Sequence, residues 1–248
     1  MIYKINETDK VKELFKDWPE TIIYSCLQKV MGDVFVSDPN HPKAAAAVAG
    51  CFSFCAGEPD RELILNRPEG FLIIVPQTES WAKLIEDCIP HAKRVTRYAI
   101  KKDTQFDVEK LERKVKMLPT GYTLERIDAK IYDQCLKNAD TCDFVSAFEN
   151  KEQYLKLGRG FVVRKDGMIV AGASSYTRYL EGIEIEVDTV ISERRKHLAT
   201  AACSALILSC LKDGLYPSWD AQNLASVCLA ESLGYKLNYA YTAYEIEG

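Results

Sequence analysis

The 248-residue sequence has only three histidines, and none stands near another at metal-ligand spacing. His41 and His91 lie beside prolines in loops, so no metal site is expected. Nine cysteines are present, but they are scattered, odd in number and without a C-x-x-C pair; Cys51 and Cys55 are four apart with no histidine pair nearby. Free, buried thiols in a reducing cytoplasm are the expected state. Positive charge is not in excess: 32 Lys and Arg stand against 36 Asp and Glu, a net −4, which argues against a general nucleic-acid binder. No apolar run is long enough for a bilayer, since the longest, Ala44 to Gly57, falls short of the ~20 residues a spanning helix needs. The opening "MIYKINETDKVKELF" is charged from its fourth residue and has no signal-peptide apolar core. The expectation is a cytoplasmic protein that engages neither membrane nor nucleic acid. No short tandem repeat or low-complexity segment is visible.

What is present is a soluble composition, 47% hydrophobic and 27% charged. Residues 1–102 read as a mixed α/β unit: a helix in "DKVKELFKDW", strands in "DVFVSD", "AVAGCFSFCAG" and "GFLIIVP", and a helix in "TESWAKLIEDCI" behind a Thr78 or Ser80 cap. A strand follows in "KRVTRYAIKK". Residues 103–120, "DTQFDVEKLERKVKMLPT", read as a charged amphipathic connecting helix with enough Leu, Val and Met to pack. Residues 121–248 form the second unit. "YTLERID" is strand-like and "AKIYDQCLKN" and "NKEQYLKLG" are helix-like. Three strands follow in "GFVVRKDGMIVAGASSYTRYLEGIEIEVDTVI", the first two separated by an Asp166-Gly167 hairpin signal. "KHLATAACSALILSCLKDG" is a helix ended by Gly214, with Cys203 and Cys210 two turns apart on its packing face. "YPSWDA" is a short strand with Trp219 in the core, and "NLASVCLAESLG" a helix from Asn223 to Gly234. "YKLNYAYTAYEI" closes as one strand or a hairpin.

The stretch Ser192 to Thr200, "SERRKHLAT", joins a strand to a helix. A turn at a helix N-terminus offers free backbone N–H groups and the positive end of the helix dipole, which together bind phosphate. Arg194, Arg195 and Lys196 add positive charge just before the helix.

Here the chain resembles the GNAT superfamily of acyl-CoA-dependent N-acyltransferases. The family motif Arg/Gln-x-x-Gly-x-Gly/Ala falls on Arg194, Leu198 and Ala199, with His197 in place of the first glycine. A second block, an Asn opening a helix that ends in Leu-Gly-aromatic, matches Asn223, Ser226, Leu233, Gly234 and Tyr235. The resemblance runs from Tyr122 onward, more than half of the chain. It implies a mixed, mostly antiparallel sheet flanked by helices. More loosely, the whole chain looks like a two-part group from Gram-positive bacteria, its smaller N-terminal half a degenerate copy of the same α/β fold.

The resemblance also implies a site. Thr189, Val190 and Ile191 would pair their backbone with the pantetheine arm of acetyl-CoA. Backbone N–H groups of Arg195, Lys196, His197, Leu198, Ala199 and Thr200 would hold the pyrophosphate. Asn223 would meet the pantetheine or thioester, Ser226 would approach the CoA, and the two parallel strands should splay to admit it. A helical first turn does not require glycine, so His197 is expected to reshape CoA binding rather than abolish it.

Acyl transfer to an amine needs a proton acceptor. Alternation puts Glu184, Glu186 and Asp188 on one strand face. The family often uses a glutamate on this strand as base, which favours Glu184, with Glu186 next. The family's thiolate-protonating tyrosine is replaced by Ala230; Cys228, Tyr235 or water are the substitutes. The implied function is transfer of an acetyl or short acyl group from acetyl-CoA to a small amine. The alternative is a CoA-binding regulatory or interaction module with reduced catalysis. The acceptor is open, and so is a homodimer.

Overall fold

The computed structural model describes residues 1–66 and 70–247. These form two compact units, Met1–Arg97 with Ala240–Gly248, and Tyr98–Tyr239. Among the described residues no helix is long and apolar enough to cross a membrane.

The first unit contains β1 (Tyr3–Ile5), α1 (Thr21–Leu27), β2 (Asp33–Val36), β3 (Ala44–Ala49), β4 (Phe52–Gly57), α2 (Arg61–Leu65), β5 (Leu72–Pro76) and α3 (Glu79–Cys88). β6 (Lys93–Ile100) begins here. The helix expected in "DKVKELFKDW" is a 3₁₀ helix over Thr8–Phe15. The single strand expected in "AVAGCFSFCAG" is two: Gly50, at φ 56°, turns the chain back and β3 pairs antiparallel with β4. Both strands are buried along nearly their whole length, so no polar alternation marked the break. Thr78 caps α3 by accepting from Trp81 N–H at 3.4 Å, and Trp81, Ala82 and Ile85 turn inward against Leu72, Ile74 and Tyr244.

The second unit contains α4 (Val108–Lys116), β7 (Tyr122–Arg126), α5 (Ala129–Leu136), α6 (Lys151–Leu157), β8 (Gly160–Lys165), β9 (Met168–Tyr179), β10 (Gly182–Thr189), α7 (Leu198–Lys212), β11 (Tyr216–Ser218), β12 (Asp220–Ala221) and α8 (Leu224–Leu233). β13 (Leu237–Ile246) is one continuous strand that ends in the first unit. β8 and β9 are joined by Asp166 and Gly167 at φ 49° and 80°, the left-handed pair that a two-residue hairpin demands. α4, the helix expected to connect the halves, packs on α7 through Leu111 and belongs to this unit. α7 lays Leu198, Ala202, Cys203 and Leu206 on Val163, Ala171, Ile183 and Ile185 of the sheet.

The two units repeat one topology. In the second, the sheet order is β11-β10-β9-β8-β7, with only the β10–β11 pair parallel and α7 as its crossover. In the first, β1 to β4 pair antiparallel in sequence, and β5 joins β4 in parallel after α2. The crossover helix has 15 residues in the second unit, α7, and 5 in the first, α2.

Candidate active site

β10 and β11 run in parallel over only three residue pairs, Gly182 with Tyr216, Ile183 with Pro217 and Glu184 with Ser218. β10 then continues to Thr189, while the chain after Ser218 leaves and pairs Asp220 and Ala221 with Ala99 and Tyr98. The expected splay between these strands therefore opens at Glu184. Glu181 C=O accepts from Tyr216 N–H at 2.8 Å on the β11 side, and Val190 N–H donates to Val170 C=O at 2.9 Å on the β9 side. Alternation along the strand thus turns the backbone groups of Ile185, Val187 and Thr189 toward the open edge.

Of Thr189, Val190 and Ile191, the residues expected to pair with pantetheine, one turns its backbone toward the open edge. Thr189 faces the opening, but its C=O accepts from Arg194 Nε at 2.9 Å and its N–H donates to Asp188 Oδ1 at 2.7 Å. Val190 faces β9, and Ile191 has already entered a 3₁₀ turn, Ile191–Glu193. Ile185 and Val187 are the strand residues whose edge β11 leaves open, and the sequence reading did not select them.

The three acids share one face, opposite Ile183 and Ile185, which enter the core under α7. Their exposure is graded: Glu184 is buried, Glu186 half-buried and Asp188 exposed. Across β9 they face Thr177, Ser174 and Gly172 in turn, and a β-bulge sits between the Glu184 and Ile185 pairs. Ser174 shares a 2.9 Å hydrogen bond with Tyr154 of α6. Across β11, Ser218 is hydrogen-bonded to Tyr179 at 2.8 Å. Tyr179 has its hydroxyl pKa raised, first by burial and then by the Glu184 charge. Gly182 leaves the space for it, since a Cβ there would collide with the Tyr179 hydroxyl and the Tyr216 carbonyl.

The loop from Glu193 to Thr200 is built on ion pairs. Glu193 Oε2 lies 2.7 Å from Lys196 Nζ and accepts from Tyr122 OH at 2.5 Å, and Glu193 Oε1 lies 3.0 Å from Lys165 Nζ. Hydrogen bonds from Lys196, Tyr122 and Lys165 hold the Glu193 carboxyl down at about 2. Arg194 pairs with Asp188 at 3.3 Å. Two of the three expected phosphate-binding cations are therefore engaged within the loop. Arg194 stays exposed despite its pair with Asp188, and Arg195 and His197 are exposed beside it at the α7 N-terminus.

His197 corrects the sequence reading. It is not in a helical first turn but stands as the N-cap of α7 at φ 61°, ψ 16°, in the left-handed region, and Arg195 is there too at φ 63°. At the first of the motif's two small positions, therefore, the family glycine matches a backbone that favours glycine. His197 makes no side-chain capping bond. Ala201 N–H closes the first helical bond onto His197 C=O, so the N–H groups of Leu198, Ala199 and Thr200 precede the first intrahelical partner.

Asn223 caps α8, its Oδ1 accepting from Ser226 N–H at 3.0 Å. The Ser226 hydroxyl accepts from Trp219 Nε1 at 3.0 Å, which places Trp219 in the core and commits Ser226 to it. Tyr235 is buried, donates to Pro217 C=O at 2.6 Å and has its pKa pushed well up by burial. That leaves it poorly placed as an acid. Cys228 is exposed, and Ala230 is wholly buried. Tyr244 is a core residue of the first unit, donating to Glu86. Cys203 and Cys210 are core residues as well, both thiols raised by burial.

The first unit treats the corresponding places differently. Past the last β4–β5 pair, Gly57 N–H donates to Gln77 Oε1 at 3.0 Å and Gly57 C=O accepts from Trp81 Nε1 at 2.9 Å. Gln77 Nε2 is tied to Leu14 C=O at 2.6 Å. The α2 N-terminus is filled by Asp60, whose Oδ1 accepts from Glu62 N–H at 2.8 Å.

A strand fork beside a helix N-terminus, set in this sheet order, defines a GNAT-type protein. The family model for GNAT acetyltransferase matches residues 12–244, and the chain belongs to that family. It is 45% identical to a GCN5-related N-acetyltransferase-like protein from Streptococcus suis 89/1591, whose structure superposes with a TM-score of 0.92 over 96% of this chain and 98% of that one. It is 24% identical over 251 residues to the uncharacterized N-acetyltransferase YdfB of Bacillus subtilis (strain 168), covering 94% of each. A tandem GNAT protein from the clavulanic acid biosynthesis pathway shares the fold at 10% identity, with a TM-score of 0.53 over 100% of this chain and 98% of that one.

Proposed function

We propose that this chain is an N-acetyltransferase that moves an acetyl or short acyl group from acetyl-CoA to a small amine. The observation that carries this reading is the fork at Glu184 and Ser218, where β10 runs on beside the α7 N-terminus without β11. The residues suit an acyl-CoA in three ways. The edge groups of Ile185 and Val187 can pair with the amides of the pantetheine arm as an added strand does. The N–H groups of Leu198, Ala199 and Thr200, with the helix dipole, suit the pyrophosphate. Arg195 and His197 are exposed beside that position.

Glu184 is the base in this reading: it lies on the strand at the fork, where the thioester would stand. Glu186, half-buried and one step further out, would meet the incoming ammonium and favour its approach. The family's acid position is Ala230, so the thiolate would leave without a protein acid, which a thiol of its acidity tolerates. A cationic acceptor fits the acid-lined strand, and the free cysteines fit a reducing cytoplasm.

The test is free-thiol release from acetyl-CoA with a panel of amines and polyamines, beside isothermal titration with acetyl-CoA. Turnover is expected, with Glu184→Gln lowering it about a hundredfold or more and leaving acetyl-CoA affinity near normal. Unchanged turnover in that variant would move the base to Glu186, Asp188 or solvent. The second reading, a CoA-binding regulatory module, draws on the strained His197 and on Ala230. Tight acetyl-CoA binding without turnover across the panel would favour it, and absence of binding would sink both.

A further inference from the structure

Glu184 does not stand alone in the sheet. It is 4% exposed and lies between Thr177 on β9 and Ser218 on β11, each directly opposite it and each 0% exposed. Opposed residues on neighbouring strands project from the same face, so the three side chains form one polar rung across the sheet. Ser218 is occupied by Tyr179. Thr177 Oγ1 is buried and has no hydrogen-bond partner among the described residues.

A buried hydroxyl without a partner costs stability, and a valine of the same shape would not incur that cost. The position also adjoins the β-bulge between the Glu184 and Ile185 pairs, a device that re-aims side chains near reacting centres. Glu184 is nearly inaccessible, so an amine arriving from the surface meets Glu186 before it. A proton bound for Glu184 then needs a carrier, and a buried water needs at least two polar partners.

We infer that Thr177 is a positioning residue of the acyl transfer: its hydroxyl and the Glu184 carboxylate together hold one water that carries the amine proton. This rests on Glu184 being the base. The ammonium gives a proton to the water as the water gives one of its own to Glu184. The water is left unchanged and the amine nitrogen free to attack the thioester. That proton leaves Glu184 to solvent, which restores the carboxylate, and the second nitrogen proton, freed after attack, goes to the departing thiolate.

The test is Thr177→Val, which removes the hydroxyl and keeps the shape, with Thr177→Ser as its rescue and Glu184→Gln as reference. Turnover is measured with the amine that gives the fastest thiol release in the wild type. The expected result for the valine variant is a kcat lowered about tenfold or more, with acetyl-CoA Kd unchanged and thermal stability equal or higher. The serine variant should recover most of kcat. A merely structural threonine would instead show lost stability with kcat intact. Normal kcat in the valine variant, with Glu184→Gln inactive, overturns the role of Thr177 alone; full turnover in Glu184→Gln overturns the base and this inference with it. A crystal structure with acetyl-CoA gives a check free of any acceptor. A water within hydrogen-bond reach of Thr177 Oγ1 and Glu184 is expected, and a Thr177 hydroxyl bonded to protein with no such water would overturn the inference.

Discussion

Glu184 and Ser218 are the last residues to face each other across β10 and β11, and from that pair onward β10 has no parallel neighbour among the described residues. Gly182 stands two residues before, in the first pair of the parallel run, opposite Tyr216. A methyl group there would meet both the Tyr216 carbonyl and the Tyr179 hydroxyl. Gly182→Ala should therefore destabilise the fold by about 2 kcal/mol or more, since backbone rather than a flexible side chain must give way. Urea unfolding should show a lower midpoint with an unchanged slope, and a wild-type midpoint would count against the contact.

His197 holds a left-handed conformation that disfavours every side chain with a Cβ. His197→Gly should raise stability by about 1 kcal/mol, seen as a rise of a few degrees in Tm. Acetyl-CoA titration should show affinity equal to or tighter than wild type. A fall in both would mean that the imidazole makes a contact outweighing the strain.

Glu193 links stability to pH. Its carboxyl is lowered from an ordinary 4.5 to about 2, chiefly by the hydrogen bond from Lys196 and then by those from Tyr122 and Lys165. A depressed acid contributes stability that is fully present above 4.5 and is lost as pH falls toward 2. Glu193→Gln should therefore lower stability at neutral pH and flatten its acid dependence between those values. Thermal melts of the two proteins at stepped pH measure this, and parallel curves would refute it.

The first unit has an arrangement like the fork, but its Gly57 edge is closed by Gln77 and Trp81 and its short helix is capped by Asp60. Titration with acetyl-CoA should give one site per chain, located in the second unit. A second equivalent of similar affinity would show that the Gln77 and Trp81 contacts yield to ligand.

Much of the second unit could be read before folding. The Asp166-Gly167 turn marks the β8–β9 hairpin and alternation marks β10 locally, and α7 is long enough for its apolar residues to declare a helix. The split between β3 and β4 was hidden because both are buried on both faces, leaving Gly50 as the single mark of the turn. α1 and α2 are too short to show a period. The candidates Glu184, Glu186 and the loop residues are neighbours in sequence, so a local pattern can nominate them. Thr177 and Ser218, which stand opposite Glu184, cannot be nominated that way, because strand register joins residues far apart in the chain and no local pattern reports it. The left-handed turn at His197 was missed for a related reason: the path of the loop between β10 and α7 sets it, against the preference of the residue itself.

The short β11 has a consequence beyond chemistry. A strand edge with unpaired amides is a template for any extended chain, its own kind included. Without a ligand along it, the amide hydrogens of Ile185 and Val187 should exchange readily, and this edge is where concentrated protein should begin to associate. On the reading given above, acetyl-CoA is the missing strand of this sheet, and keeping the protein loaded with it would also keep it in solution.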